Sequence, residues 1–337
     1  MHRLLLSIVT FPLLTGCLVK QEREVVVYTA LDQEFSEPIF RRFTEETGIV
    51  VLAKYDTEST KTVGLANAIL AERRRARCDL FWNNEILNTL RLQRQGLLDT
   101  YRSPVSAGYP AFARSPRDQW HGFAARARVL LVNTDQVSDG QRPRSILDLI
   151  DPAWRGRVGM AKPLFGTTAT HAACLFAYWG EGRARQFFLD VKRNAKILAG
   201  NKRVALSVSN GEIAFGITDT DDAIIEVEKG MPVAIIYPDQ GEDGMGTLLI
   251  PNTLALIRGG PHTRDARRLV DYLLSPEVEG LLAAGPSAQI PLGPDTGVAV
   301  RVATPDTIRV MQVDFQRAAD HWERAAQFLR DTMTGGD

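Results

Sequence analysis

The stretch VVVYTALDQEFSEPIFRRFTEETGIVVLA, residues 25–53, decides the fold. Val25-Val26-Val27-Tyr28 is a continuous apolar run, the pattern of a strand buried on both faces. From about Ser36 the spacing changes, with Phe40 and Phe43 on one helical face and Gly48 as a C-terminal stop. Ile49-Val50-Val51-Leu52-Ala53 then returns to strand. A strand, a helix and a second strand in so short a span is the repeating unit of a parallel α/β sheet.

Downstream the unit recurs. Ser59 or Thr60 precedes a helix from Thr62 to Arg74, Asp79-Leu80-Phe81-Trp82 is a strand, and Ile86 to Gln95 is a helix stopped by Gly96. Arg128 to Asn133 reads as a strand that leaves a first lobe for a second. Arg157 to Met160, Ile213 to Ile217 and Val233 to Tyr237 supply the second lobe's strands, with helices Ala169 to Trp179 and Gly182 to Lys192 between them. Leu248 to Leu256 is another apolar run, followed by a helix from Arg264 to Leu274 and a Gly/Pro-rich stretch from Gly285 to Gly297. A final amphipathic helix is expected from Pro305 to Leu329, aligning Met311, Phe315, Ala318, Trp322, Ala325 and Leu329. The division that follows is a lobe of 25–125 plus 247–300, and a second of 126–246 plus 301–337 carrying the C-terminal helix.

The 337 residues carry 40 Lys+Arg against 40 Asp+Glu, with 45% hydrophobic and 24% charged residues. Zero net charge argues against a nucleic-acid partner, which requires surplus cations to displace phosphate counterions. At the start, Arg3, the apolar run Leu4 to Leu14 and Leu14-Thr15-Gly16-Cys17 read as an export signal over 1–16. The last four residues resemble the bacterial lipobox, which implies cleavage before Cys17, acylation of its thiol, a tether over 17–24 and a periplasmic or cell-surface membrane anchor. Of three cysteines, Cys78 and Cys174 then remain. One disulfide between them is open, and their apolar surroundings favour buried thiols.

Phe43-Thr44-Glu45-Glu46-Thr47-Gly48-Ile49, Cys78 to Trp82, Asp151-Pro152-Ala153-Trp154-Arg155-Gly156 and Asn210-Gly211-Glu212-Ile213-Ala214 occur in one order along the chain. Together they resemble the solute-binding proteins of bacterial ABC importers, closest to the ferric-ion-binding class. The resemblance implies an α/β, two-lobed periplasmic-binding-protein fold with mostly parallel sheets, a hinge and an interlobe cleft. It also implies a monomeric, non-enzymatic protein that hands a small charged solute to a membrane permease. The solute would be a ferric ion or other hard cation with a synergistic anion.

Strand ends are where such a cleft collects ligands. Asp32 stands where the family has a metal-binding His, and reads as an oxygen ligand or a turn aspartate. Asn84 falls on the family's metal-binding Glu, with Glu85 one place late; Asn84 also suits a helix cap. Asp219-Thr220-Asp221-Asp222 occupies the place of two adjacent tyrosines. Its acids are candidate ligands for a metal, an ammonium or a guanidinium, or cap the helix that follows. Asp32, Asp219 and Asp221 are the metal candidates. Ser59 and Thr60, and Gly166, Thr167 and Thr168, match the family's anion-contacting loops, and Arg126 matches an arginine near the anion. His121 and His171 read as surface or core residues ahead of ligands, and Arg73-Arg74-Arg75 with Arg77 as a solvated helix end.

Two other functions stay open. The missing tyrosines favour an organic phosphate, phosphonate or carboxylate bearing a cationic group. A secreted carboxylate-dependent hydrolase would use Asp219 or Asp221 as acid or base, although GxSxG, HExxH and Walker motifs are absent from the sequence.

Overall fold

The computed structural model describes residues 23–56 and 63–333. Cys17, the export segment, Ser59 and Thr60 lie outside the described residues. In chain order the elements are β1 (Glu24–Thr29), α1 (Gln33–Thr47), β2 (Val50–Tyr55), α2 (Val63–Ala71), β3 (Leu80–Asn83), α3 (Leu87–Arg94), β4 (His121–Asn133), β5 (Val158–Ala161), α4 (Gly166–Trp179) and α5 (Glu181–Asn194). They continue with β6 (Lys196–Leu198), α6 (Asn201–Ser209), β7 (Phe215–Asp219), α7 (Thr220–Glu228), β8 (Val233–Ile236), β9 (Leu249–Leu256), α8 (Thr263–Leu273), α9 (Pro276–Ala284) and α10 (Phe315–Met333).

The opening unit forms as its pattern dictates. β1 and β2 pair in parallel from Glu24↔Val50 to Thr29↔Tyr55. Gly48 adopts φ +67° and closes α1 by donating its N–H to the Thr44 carbonyl at 2.8 Å, a conformation that a Cβ would oppose. The strands run in the order β2-β1-β3-β9-β4-β7-β5-β6, with β8 beside β4. Pairing is parallel in the outer strands of each half and antiparallel where β3, β9, β4, β7 and β8 meet.

β4 is the connecting strand, longer than its sequence pattern suggested. Its residues 121–127 pair with β9, and its residues 128–133 pair with β7 and β8 in the other half. Every residue of β4 is buried, so the crossing is a core element. The architecture is α/β and two-lobed, and the strand ends on either side of the crossing face one cleft.

The expected last helix starts late. Residues 305–314 are not helical, and α10 begins at Phe315. Met311 still reaches the core, because its N–H bonds the Thr247 carbonyl and the neighbouring residue bridges Thr247. Tertiary pairing there overrides the helical spacing. α10 buries Ala318, Ala325 and Leu329 in the core shared with α3, α4 and α5. Cys78 and Cys174 are both free and buried, and burial pushes both thiols above their ordinary range.

Candidate functional site

Three helices begin at the cleft: α4 after β5, α6 after β6, and α7 directly after β7. Glycine sets part of this arrangement. A Cβ on Gly216 of β7 would sit 2.5 Å from Val204 Cγ1, so α6 lies against the strand only because that position is bare. The cleft, of about 580 Å³ counted to its open mouth, is lined by Asp32 and Asn84 from one lobe and Arg126 from the crossing strand. The other lobe contributes Lys162, Gly166, Thr167, Thr168, Asn201, Lys202, Asp219, Asp221 and Asp222.

Asp219 is the centre of a closed network. One oxygen accepts from Arg128 Nη1 at 2.6 Å; the other accepts from Thr167 Oγ1 at 2.5 Å and Asn201 Nδ2 at 2.9 Å. Arg126 Nη1 stands 3.8 Å from the same carboxylate. Burial alone would raise the Asp219 pKa, but Arg128 and Arg126 more than offset it and hold the group below its ordinary range. Asn201 knits the rest: its Oδ1 accepts from Arg128 Nη1 at 3.1 Å and Thr168 Oγ1 at 2.9 Å, and its Nδ2 also donates to Thr167 Oγ1 at 2.9 Å.

This count decides what the threonines offer a solute. Thr167 spends its proton on Asp219 and accepts from Asn201 and, at 3.4 Å, Arg128; Thr168 spends its proton on Asn201. Neither hydroxyl has a proton left for an anion. The backbone does. The first intrahelical donor of α4 is Ala169, and that of α6 is Val204. The N–H groups of residues 166–168 and 201–203 therefore have no acceptor within their helices. Neither Phe165 nor Gly200, the residues at the two N-caps, caps with a side chain. Lys162 and Lys202 add positive charge beside them.

Arg126 ties the two lobes together. Its Nη1 donates to Asp221 Oδ2 at 3.1 Å and its Nη2 to the Asn84 carbonyl. Burial opposes the charge, and Asp221 and Asp219 outweigh it, raising the Arg126 pKa. Two buried polar atoms at the cleft, Arg126 Nε and Asn84 Oδ1, lack a hydrogen-bond partner among the described residues. Asn84 does not cap the next helix. Glu85 does so: its carboxylate accepts from the N–H groups of Leu87 and, at 3.0 Å, Asn88, and reaches across to Thr170 Oγ1 of α4 at 2.9 Å. Glu85 is thus engaged beside the cleft and does not line it.

Thr220 begins α7 and accepts from the Ala127 N–H at 3.1 Å, so it docks that helix on the crossing strand. Trp82 is fully buried against Phe40 and Phe123. His121 bonds the Tyr101 carbonyl away from the cleft, and Arg73, Arg74, Arg75 and Arg77 are exposed. His171 lies inside α4, and burial with the nearby Arg128 charge lowers its pKa to about 3. Between that value and the unfolded-state value near 6.5, only the unfolded chain binds this proton. His171 therefore contributes a fall in stability as pH drops below about 6.5, of at most about 1.4 kcal/mol per unit. Urea titrations from pH 7 to pH 4 should show this slope, and it should flatten in His171→Gln.

The residues missed from sequence are Arg128, Lys162, Asn201 and Lys202. Gly200-Asn201 at a helix start was the one local signal available.

A two-lobed α/β protein with a charged cleft at its crossing strands defines a class, and comparison with known proteins agrees. Residues 88–319 match the model of the bacterial extracellular solute-binding protein family, and the chain belongs to that family. The major ferric iron-binding protein of Neisseria meningitidis serogroup A is 26% identical over 278 residues, 80% of this chain and 81% of the relative. Iron-bound HitA from Pseudomonas aeruginosa matches with a TM-score of 0.83 at 23% identity, over 92% of this chain and 99% of that one. AfuA from Actinobacillus pleuropneumoniae, with fructose-6-phosphate bound, matches with a TM-score of 0.80 at 20% identity, over 94% and 100%.

Proposed function

We propose that the chain is the solute-capturing component of an ABC importer of the iron(III)-transport type. It is a monomeric lipoprotein held by Cys17 in the periplasm or at the cell surface, and it presents its solute to a permease without transforming it. Lobe 1 comprises 25–125 and 247–300, and lobe 2 comprises 126–246 and 301–337.

The observation that carries the reading is the pairing of opposite charges in one cleft. Carboxylate oxygens of Asp219, Asp221 and Asp222 lie within 4.8 Å of one another, and Asp32 and the unpartnered Asn84 Oδ1 line the same cleft. Asp32, Asn84, Asp222 and Asp221, which also accepts from Arg126, make an oxygen donor set suited to a hard ion such as ferric iron, while Asp219 is the buried counterion of Arg128. Next to them, the N-termini of α4 and α6, Lys162, Lys202 and Arg126 Nε suit an oxyanion that completes the metal's coordination. Gly166, Thr167 and Thr168 serve there through their backbone N–H groups.

A second reading, an organic phosphate, phosphonate or carboxylate with a cationic group, is favoured by one observation. Among the described residues lining the cleft there is no phenol or imidazole to bind ferric iron. The two charged ends of such a molecule would meet the same acidic and N–H-bearing groups. Titration calorimetry separates the cases. Ferric citrate or ferric phosphate should bind at one equivalent, with citrate or phosphate alone far weaker. Metal-independent binding of an aminoalkyl phosphonate would transfer the assignment to the second reading, and binding of neither would overturn both. Turnover of the bound solute would instead indicate a carboxylate-dependent hydrolase.

A further inference from the structure

The connecting strand β4 and its antiparallel partner β9 are interrupted at one level. In β9, Pro251 has no N–H to donate, and β4 answers with a bulge: Phe123 pairs with Asn252 and Ala125 with Pro251, leaving Ala124 between them. Ala125 turns instead to Ile290, exchanging two backbone hydrogen bonds of 2.8 Å. Ala124 sits at φ +40°, a left-handed conformation disfavoured for any residue with a Cβ.

What holds it there is a buried carboxylate. Glu279 of α9 has no exposed surface; its Oε1 accepts from Ala124 N–H at 2.7 Å and Leu292 N–H at 3.0 Å, and its Oε2 accepts from Gly293 N–H at 2.6 Å. On the other side of the bulge, Asn252 Nδ2 donates to the Ala124 carbonyl. Two residues further along β4 stands Arg126, which joins Asn84 to Asp221, and two beyond that Arg128 enters the second sheet.

We propose that Glu279 is a positioning residue for solute capture: it fixes the Ala124 bulge just ahead of the crossing at Arg128, and so sets how the halves of the cleft meet around Arg126. The inference rests on the cleft being the solute site. Glu279→Gln replaces one acceptor oxygen by an amide that meets backbone N–H groups. It should weaken ferric citrate binding roughly tenfold and alter the closure rate, read by stopped-flow tryptophan fluorescence. Ala124→Gly removes the conformational cost that the carboxylate offsets, so the Glu279→Gln, Ala124→Gly double variant should recover most of the affinity. A structural role alone would lower the unfolding midpoint yet leave the affinity and closure rate of the folded protein unchanged, and that result overturns the proposal. Should Glu279→Gln fail to fold, Pro251→Ala restores a donor opposite the bulge and should change the closure rate; an unchanged rate overturns it equally. Failure of the cleft assignment is distinguishable, because the wild-type protein would then not close on ferric citrate.

Discussion

Asp219→Ala should cost the protein about 3–5 kcal/mol of stability in urea unfolding, because it leaves the Arg128 guanidinium buried without its counterion. Arg128 is 1% exposed, and its Nη1 lies 2.6 Å from Asp219, so water cannot take over the lost contact. Asp222→Asn should behave differently. That side chain is half-buried at the cleft, and its loss should lower affinity while the unfolding midpoint stays close to wild type. Three acids within four positions therefore separate into a structural counterion, a residue shared with Arg126, and a residue facing the cleft. The pH dependence has a defined sign. The Asp219 pKa is held below its unfolded value, so its contribution is complete above about pH 4 and is lost as pH falls through the folded value.

The second large effect is on binding. Lys162→Met together with Lys202→Met should weaken the solute complex by roughly tenfold per lysine, the lower end for a charged hydrogen bond, since Lys202 is exposed. Thr167→Val makes a useful contrast. Its hydroxyl proton belongs to Asp219, so the change should be felt in stability ahead of affinity. Calorimetry and urea unfolding on the same three proteins check both statements.

Much of the fold was legible because burial on both faces writes itself as unbroken apolar runs. Val25 to Tyr28 and Leu80 to Trp82 could hardly be anything but interior strands. The crossing of β4 was anticipated at Arg128, where the strand does change partners. The site was legible only in outline. Asp219's partners lie 91, 52 and 18 positions away in Arg128, Thr167 and Asn201, and no local pattern encodes them. Asn84 and Glu85 show the same limit: either suits a cap by composition, and only the packing of α4 against the loop gives Glu85 its bond to Thr170. Pro251 sits in a run that reads as plain strand and Ala124 lies ahead of the strand read from Arg128, so the bulge before the crossing is visible only in the register.

One cleft holding a solute between acidic oxygens and neighbouring cationic groups should respond to the loss of one group of each kind. Calorimetric titration of ferric citrate into the wild-type protein and into an Asp222→Asn, Lys202→Met double variant tests this most directly. Binding should saturate at one equivalent and fall by at least roughly tenfold in the variant, with the unfolding midpoint preserved. Undiminished affinity in a folded double variant would contradict this expectation, because the solute would then lie elsewhere.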